Sequence, residues 1–293
     1  MSEPTVRLVR TANGPIAVRR QGAGEPVVLL HPLALSGDLW GPLAAALSED
    51  FDVLSLDLRG HGASGCDGRP FSIEDLALDV AGTLDALELG AVDMLGMSMG
   101  GSVAVTFAGL FPERVRSLVL ADTTAWYGEN AAGAWAERAE RAAGVPRAEQ
   151  LPFQVDRWFS PAFRESGPDE VERVTRIFLR TDSKAHAAAS IAMGRLDARP
   201  LLPDVRATTL VVVGQDDYAT PPAMAGELAG GIPGATLLPL PGLRHLSLIE
   251  RPELSEVVRR TFAGAPMTGG TGGTGANDAT AANGATAAES TRA

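Results

Sequence analysis

The residues best suited to chemistry lie in the stretch LGMSMGGSVAV (95–105), where Ser98 is the centre of Gly96-Met97-Ser98-Met99-Gly100. A G-x-S-x-G pattern is informative when it ends a buried strand and opens a helix. The serine then sits on a strained turn with its hydroxyl presented at the end of a sheet. Gly96 and Gly100 suit that geometry, since a side chain at either place would block the neighbouring strand or helix. Gly101 suits a helix that approaches the sheet closely, and the helix N-terminus would direct its dipole at the reacting centre. A serine hydroxyl is a poor nucleophile at neutral pH and needs a base. In the strand–turn–helix setting of this motif the partners follow in the order serine, acid, histidine. Four histidines are available; His31 and His61 precede the serine and His186 falls in an Ala- and Arg-rich helical stretch, so the order selects His245. The acid is expected after TTLVVV, where Asp216 and Asp217 stand side by side, with Asp122 after the preceding strand as a third candidate. Its task is to hold the imidazole tautomer and stabilise the imidazolium. A tetrahedral intermediate also needs two backbone N–H donors. Met99 follows the serine, and Leu33 is the donor expected from His31-Pro32-Leu33-Ala34, because Pro32 has no N–H.

These groups require a scaffold, and the hydrophobic pattern describes one. VRLVR and IAVRR flank Asn13-Gly14, a hairpin signal. PVVLLHP, FDVLSLDLRG, VDMLGMS, VRSLVLAD and TTLVVVGQDD each carry a short continuous apolar run, the mark of strands buried on both faces, and ATLLPLPG reads as a further strand. Helical patterns separate them; one starts at Ser72 with Glu74 and Asp75 in its first turn. This alternation predicts a mostly parallel, doubly wound α/β sheet of about eight strands. Residues 124–203 break the alternation with Ala, Arg and Glu-rich helical patterns that Pro and Gly divide into about four helices. They read as a helical cap inserted after the sixth strand. Residues 1–123 and 204–264 then form the core, and 265–293, without apolar periodicity, read as a disordered tail.

The bulk properties exclude several classes. The chain has 293 residues and is 45% apolar, enough for a sizeable core. A net charge of -11 argues against nucleic acid or an anionic membrane as partner. Cys66 is the single cysteine; it cannot form an internal disulfide, and its Gly/Asp-rich surroundings make it a weak nucleophile candidate. No signal-peptide core is visible in MSEPTVRLVR and no apolar run approaches the ~20 residues of a membrane span, so a cytoplasmic location is expected. In Asp57-Leu58-Arg59-Gly60-His61-Gly62-Ala63-Ser64 no further ligand cluster supports a metal at Asp57 and His61. A structural role is expected instead, with Asp57 and Arg59 pairing or bonding to backbone.

With the His-Pro loop, D-x-R-G-H-G-x-S, G-x-S-x-G and the late histidine in order, the chain resembles the α/β-hydrolase superfamily over residues 27 to about 262. A serine nucleophile separates it from the branches that use aspartate. It is most similar to the 3-oxoadipate enol-lactonase branch, through Trp135-Ala136-Glu137-Arg138, Arg157-Trp158-Phe159 and the stretch beginning at His245. The resemblance favours Asp217 over Asp216. It implies a cofactor-independent hydrolase of a small ester or lactone, with no metal, acting through Ser98, Asp217 and His245. An enol-lactone bearing a carboxylate would call for a cation in the cap, for which Arg138 and Arg157 are candidates beside Trp135 and Trp158. Departures fall where substrate is contacted: Leu33-Ala34-Leu35 replaces Leu-Gly-Thr, and His186 and Ser190 stand where Tyr and Cys are expected. A non-hydrolytic enzyme using the same triad (lyase, cyclase or acyl transferase) and a catalytically silent binding module remain alternatives. The oligomeric state is not encoded in any of these features.

Overall fold

The computed structural model of the chain describes residues 5–264; the tail expected at 265–293 lies outside the described residues. Eight strands form one sheet in the order β1-β2-β4-β3-β5-β6-β7-β8. The hairpin β1 (Thr5–Thr11) and β2 (Gly14–Gly22) is antiparallel, and β2 runs antiparallel to β4 (Phe51–Leu56). From β4 onward every pairing is parallel, through β3 (Glu25–Leu30), β5 (Val92–Met97), β6 (Val115–Ala121), β7 (Thr208–Gly214) and β8 (Thr236–Leu240). The continuous apolar runs become the central strands because both of their faces are covered. Val28 and Leu30 of β3 join the core on one face, while Val27 and Leu29 join the core on the other.

Helices α1 (Gly41–Leu47) and α11 (Ser255–Phe262) pack together on the second face, and α2 (Ile73–Ala86) and α3 (Met99–Leu110) pack together on the first. The start of α2 is the expected one. Ser72 accepts from the Asp75 N–H and Asp75 accepts from the Ser72 N–H, a capping box that satisfies two otherwise open donors. Two further helices, α9 (Pro222–Gly231) and α10 (Ser247–Glu250), belong to the C-terminal part.

The strand order places the site. The chain runs from β3 outward to β4 and then returns to β5 on the other side of β3. Connections leave in opposite directions there, which opens a crevice beyond the carboxyl ends of β3 and β5. Leu33 and Ser98 both lie just past those ends.

Between β6 and β7 stand five helices rather than the four expected from the Pro and Gly breaks: α4 (Ala131–Gly144), α5 (Arg147–Trp158), α6 (Pro161–Ser166), α7 (Pro168–Arg180) and α8 (Ser183–Met193). Pro152 is absorbed within α5, whereas Gly167-Pro168 separates α6 from α7, because proline suits the first turn of a new helix. This insertion is tied to the crevice loops. Thr181 Oγ1 donates to Ala34 O at 2.8 Å, and the Leu246 N–H donates to Trp158 O at 3.0 Å.

Candidate active site

Ser98 joins β5 to α3 with φ 54° and ψ -121°, a backbone conformation that costs a non-glycine residue strain. The flanking glycines make the turn feasible. A Cβ on Gly96 would lie 2.2 Å from Gly100 O, and one on Gly100 would lie 2.1 Å from Leu30 O. Gly101 makes room for the Thr123 side chain, 2.6 Å from where its Cβ would be, so it accommodates the loop after β6.

The Ser98 hydroxyl meets a relay of side chains. His245 Nδ1 is 2.8 Å from Asp217 Oδ2, and His245 Nε2 is 2.8 Å from Ser98 Oγ. A carboxylate only accepts, so Nδ1 carries the proton and Nε2 is free to accept from the serine. Asp217 is held in turn. Its Oδ1 accepts from the Ala219 and Thr220 N–H groups, and its Oδ2 accepts from Thr220 Oγ1. Burial alone would raise its pKa, but His245 and the Thr220 donors outweigh that and hold it below the usual carboxylate value. Asp216 is exposed and its side chain makes no hydrogen bond or ion pair to this relay.

Asp122, the third carboxylate considered from the sequence, lies one strand over and does not reach His245. Its Oδ1 accepts from the Gly214 N–H, and its Oδ2 accepts from the N–H and hydroxyl of Ser247. It therefore clamps the start of the Asp217 loop to the segment just after His245. Burial and then the charge of Asp217 push its carboxyl well above the usual range.

The expected donor pair lies nearby. The Ala34 N–H is consumed by His61 Nε2 at 3.2 Å and the Leu35 N–H by Pro32 O at 3.3 Å. The N–H groups of Leu33 and Met99 make no such bond to any described residue. The D-x-R-G-H-G-x-S loop supports this corner. Asp57 pairs with Arg19 and accepts from the Gly37 and Ala63 N–H groups, while Arg59 pairs with Asp79 rather than with Asp57. His31 and His61 are buried ring against ring, 5.1 Å between centroids. Each donates from Nδ1 to a backbone carbonyl, and each accepts an N–H at Nε2, from Leu58 and Ala34 respectively.

That arrangement requires both rings to be neutral, and burial lowers their pKa values to about 4 for His31 and about 3 for His61. The unfolded chain takes up these protons first, near 6.5, so the stabilisation is complete above that pH and is lost as pH falls toward the folded values. At pH 5 each ring should have cost the fold about 2 kcal/mol relative to pH 8. The loss of urea-unfolding free energy between pH 8 and pH 5 should shrink by about that amount in His31→Gln or His61→Gln, and variants that keep the full wild-type loss would rule it out.

The cleft beyond Ser98 and His245 holds ≈ 690 Å³ including its open mouth. Trp135, Arg138, Arg157 and Trp158, all expected from the sequence, line it. Arg157 is 7% exposed and has no carboxylate partner among the described residues, and its Nε is buried without an acceptor. Burial lowers its pKa below the ordinary arginine value. Arg138 lies over the Trp135 ring, 4.4 Å from the centroid. Arg141, Gln150, Phe153 and Gln154 also line the cleft and were not expected there; only the helical period of α4 and α5, which brings Arg141, Phe153 and Gln154 within one turn of Arg138 or Arg157 and Gln150 within two, could have suggested them. No group of three or more His, Cys, Asp or Glu able to hold a metal occurs among the described residues, and no helix there is long and apolar enough to cross a membrane.

A family model described as alpha/beta hydrolase fold matches residues 25–252. The chain belongs to the alpha/beta hydrolase fold family. Within this family it is 32% identical to 3-oxoadipate enol-lactonase 2 of Acinetobacter baylyi over 79% of this chain and 86% of that one. The enol-lactonase of Burkholderia xenovorans LB400 superposes with a TM-score of 0.83 at 30% identity, over 88% of this chain and all of the other. A thermophilic esterase of Thermogutta terrifontis, solved with malate bound, superposes at 0.81 with 29% identity, over 87% and 97% of the two chains. In this alpha/beta hydrolase the serine turn, the histidine loop and the acid loop lie within the matched residues.

Proposed function

We propose that the protein is a cofactor-independent serine hydrolase of a small ester or lactone that carries a carboxylate. The observation that carries this reading is the relay Asp217–His245–Ser98, with two contacts of 2.8 Å, opening on a cleft that contains an unpaired buried arginine. His245 Nε2 takes the serine proton as Oγ attacks the acyl carbon, and Asp217 stabilises the resulting imidazolium. The Leu33 and Met99 N–H groups receive the developing oxyanion. The imidazolium then returns its proton to the leaving oxygen, which in a lactone stays on the acyl chain. Water, activated by the same histidine, releases the acid. The similarity to two enol-lactonases, and the malate bound in a related esterase, support a small oxygen-rich anionic substrate.

The cation is what selects the substrate in this reading. A guanidinium fork can bond both oxygens of a carboxylate. Such a contact in a partly dry cleft is worth roughly 1.5–3 kcal/mol. The preference for 4-nitrophenyl hemisuccinate over 4-nitrophenyl butyrate, as a ratio of kcat/KM, should therefore fall about tenfold to a hundredfold in Arg157→Met. Arg138→Ala tests the second candidate in the same way. If both variants slow the two esters equally, the cleft has only been loosened and the anionic-substrate reading is wrong; the serine chemistry rests on separate residues.

A further inference from the structure

His186 is a cleft residue that the chemistry above does not use. It lies in the first turn of α8, is 6% exposed, and lines the same cleft as Ser98 and His245. Arg147, at the start of α5, reaches it from behind. The Arg147 Nε donates to Phe178 O at 2.7 Å, its guanidinium lies 3.8 Å from the Phe178 ring centroid, and its Nη1 is 3.3 Å from His186 Nδ1. A guanidinium can only donate, so His186 Nδ1 must accept and the ring proton must sit on Nε2. Phe178 also packs edge-on against the imidazole, with 6.1 Å between centroids, which limits rotation of the ring. No described residue accepts a hydrogen bond from Nε2.

We propose that His186 is a specificity-determining residue whose Nε2–H, set by Arg147 as the donor tautomer, binds a neutral carbonyl oxygen of the substrate away from the scissile bond. This rests on the hydrolase reading for the use of the cleft. A neutral acceptor is the match because the ring does not charge. Burial, then Arg147, His61 and Arg157, lower its pKa to about 3, and Asp182 at the start of α8 bonds to backbone N–H groups instead. The negative charge of the substrate already has Arg157. One turn further along α8, Ser190 gives its hydroxyl proton to His186 O at 2.9 Å and turns only lone pairs toward the cleft. With the Ser190 proton committed to backbone, the His186 Nε2–H is the donor that the α8 wall offers, which an oxo group can accept and a plain alkyl chain cannot use.

Two measurements on the full chain test this. In protein labelled with 15N-histidine, two-bond proton–nitrogen correlations should show His186 as the Nε2–H tautomer, unchanged from pH 5 to 8. Arg147→Met should release it to a mixture of tautomers and bring its titration into that range. In the second measurement, the kcat/KM ratio of 4-nitrophenyl levulinate to 4-nitrophenyl pentanoate should fall about tenfold in His186→Phe. His186→Gln, which keeps an N–H donor, should recover part of it. An Nδ1–H tautomer in the wild-type protein, a His186 titration between pH 5 and 8, or a ratio that neither variant moves would overturn the assignment. Should the wild-type protein hydrolyse neither ester, the hydrolase reading fails, and the spectrum alone then decides whether His186 is a fixed donor.

Discussion

Ser98→Ala should lower kcat on the best ester substrate by about 10⁴ to 10⁶-fold. On the proposed mechanism the alanine removes the atom that would form the acyl bond, while the Leu33 and Met99 N–H groups and the rest of the cleft stay in place. A small residual rate from those groups is therefore expected. The fold should survive, because the serine hydroxyl's contact is to His245, and Ser98 N–H, which bonds to Ala121 O, is unchanged. Circular dichroism and urea unfolding check the fold, and loss of labelling by a fluorophosphonate checks the nucleophile. A Ser98→Ala protein that keeps near wild-type turnover would end the serine mechanism, and a binding module with silent chemistry would instead leave the wild-type protein inert to both ester and label.

Asp217→Asn should cost about 10⁴-fold in kcat, whereas Asp216→Asn should change it by less than about twofold. The two residues are neighbours in the chain and differ only in direction. Asp217 faces inward, 2% exposed, and takes the Nδ1 proton of His245 as its hydrogen-bond partner. An amide at that place could present its NH2 to Nδ1 and stabilise the tautomer whose Nε2 carries the proton, which cannot accept from Ser98. Asp216 faces solvent and holds nothing in the relay. Steady-state kinetics on a neutral nitrophenyl ester separate the two variants. The reverse ranking would mean that Asp216 serves His245, and two variants that both keep near wild-type kcat would leave Asp122, fully buried and already committed to Gly214 and Ser247, as the carboxylate to examine.

The fold was legible because its signals are local and repeated. Five apolar runs without alternation can only be strands covered on both faces, and the helical patterns between them force parallel connections. The break in that rhythm at 124–203 marks the helices between β6 and β7, but Pro and Gly breaks do not count them, because a proline's effect depends on whether it falls in a first turn or inside a helix that packing already holds. Ser98 and His245 were also legible, one from a glycine spacing with a steric cause and the other from chain order among only four histidines.

What the sequence by itself determined, then, is the α/β order, the strained serine turn and the short set of residues able to partner it. Tertiary structure decided which of two adjacent carboxylates turns inward, since side-chain direction depends on how the 215–221 loop folds back on Thr220. It also decided which arginine of the helices between β6 and β7 is buried without a carboxylate partner. The packing of α5 leaves Arg157 buried without a carboxylate partner, whereas Arg173 finds Glu170 and Arg147 finds the Phe178 carbonyl. The same holds for Asp122 and His186, whose roles arise from contacts to residues between 39 and 125 positions away in the chain, a range over which no local pattern can specify a partner.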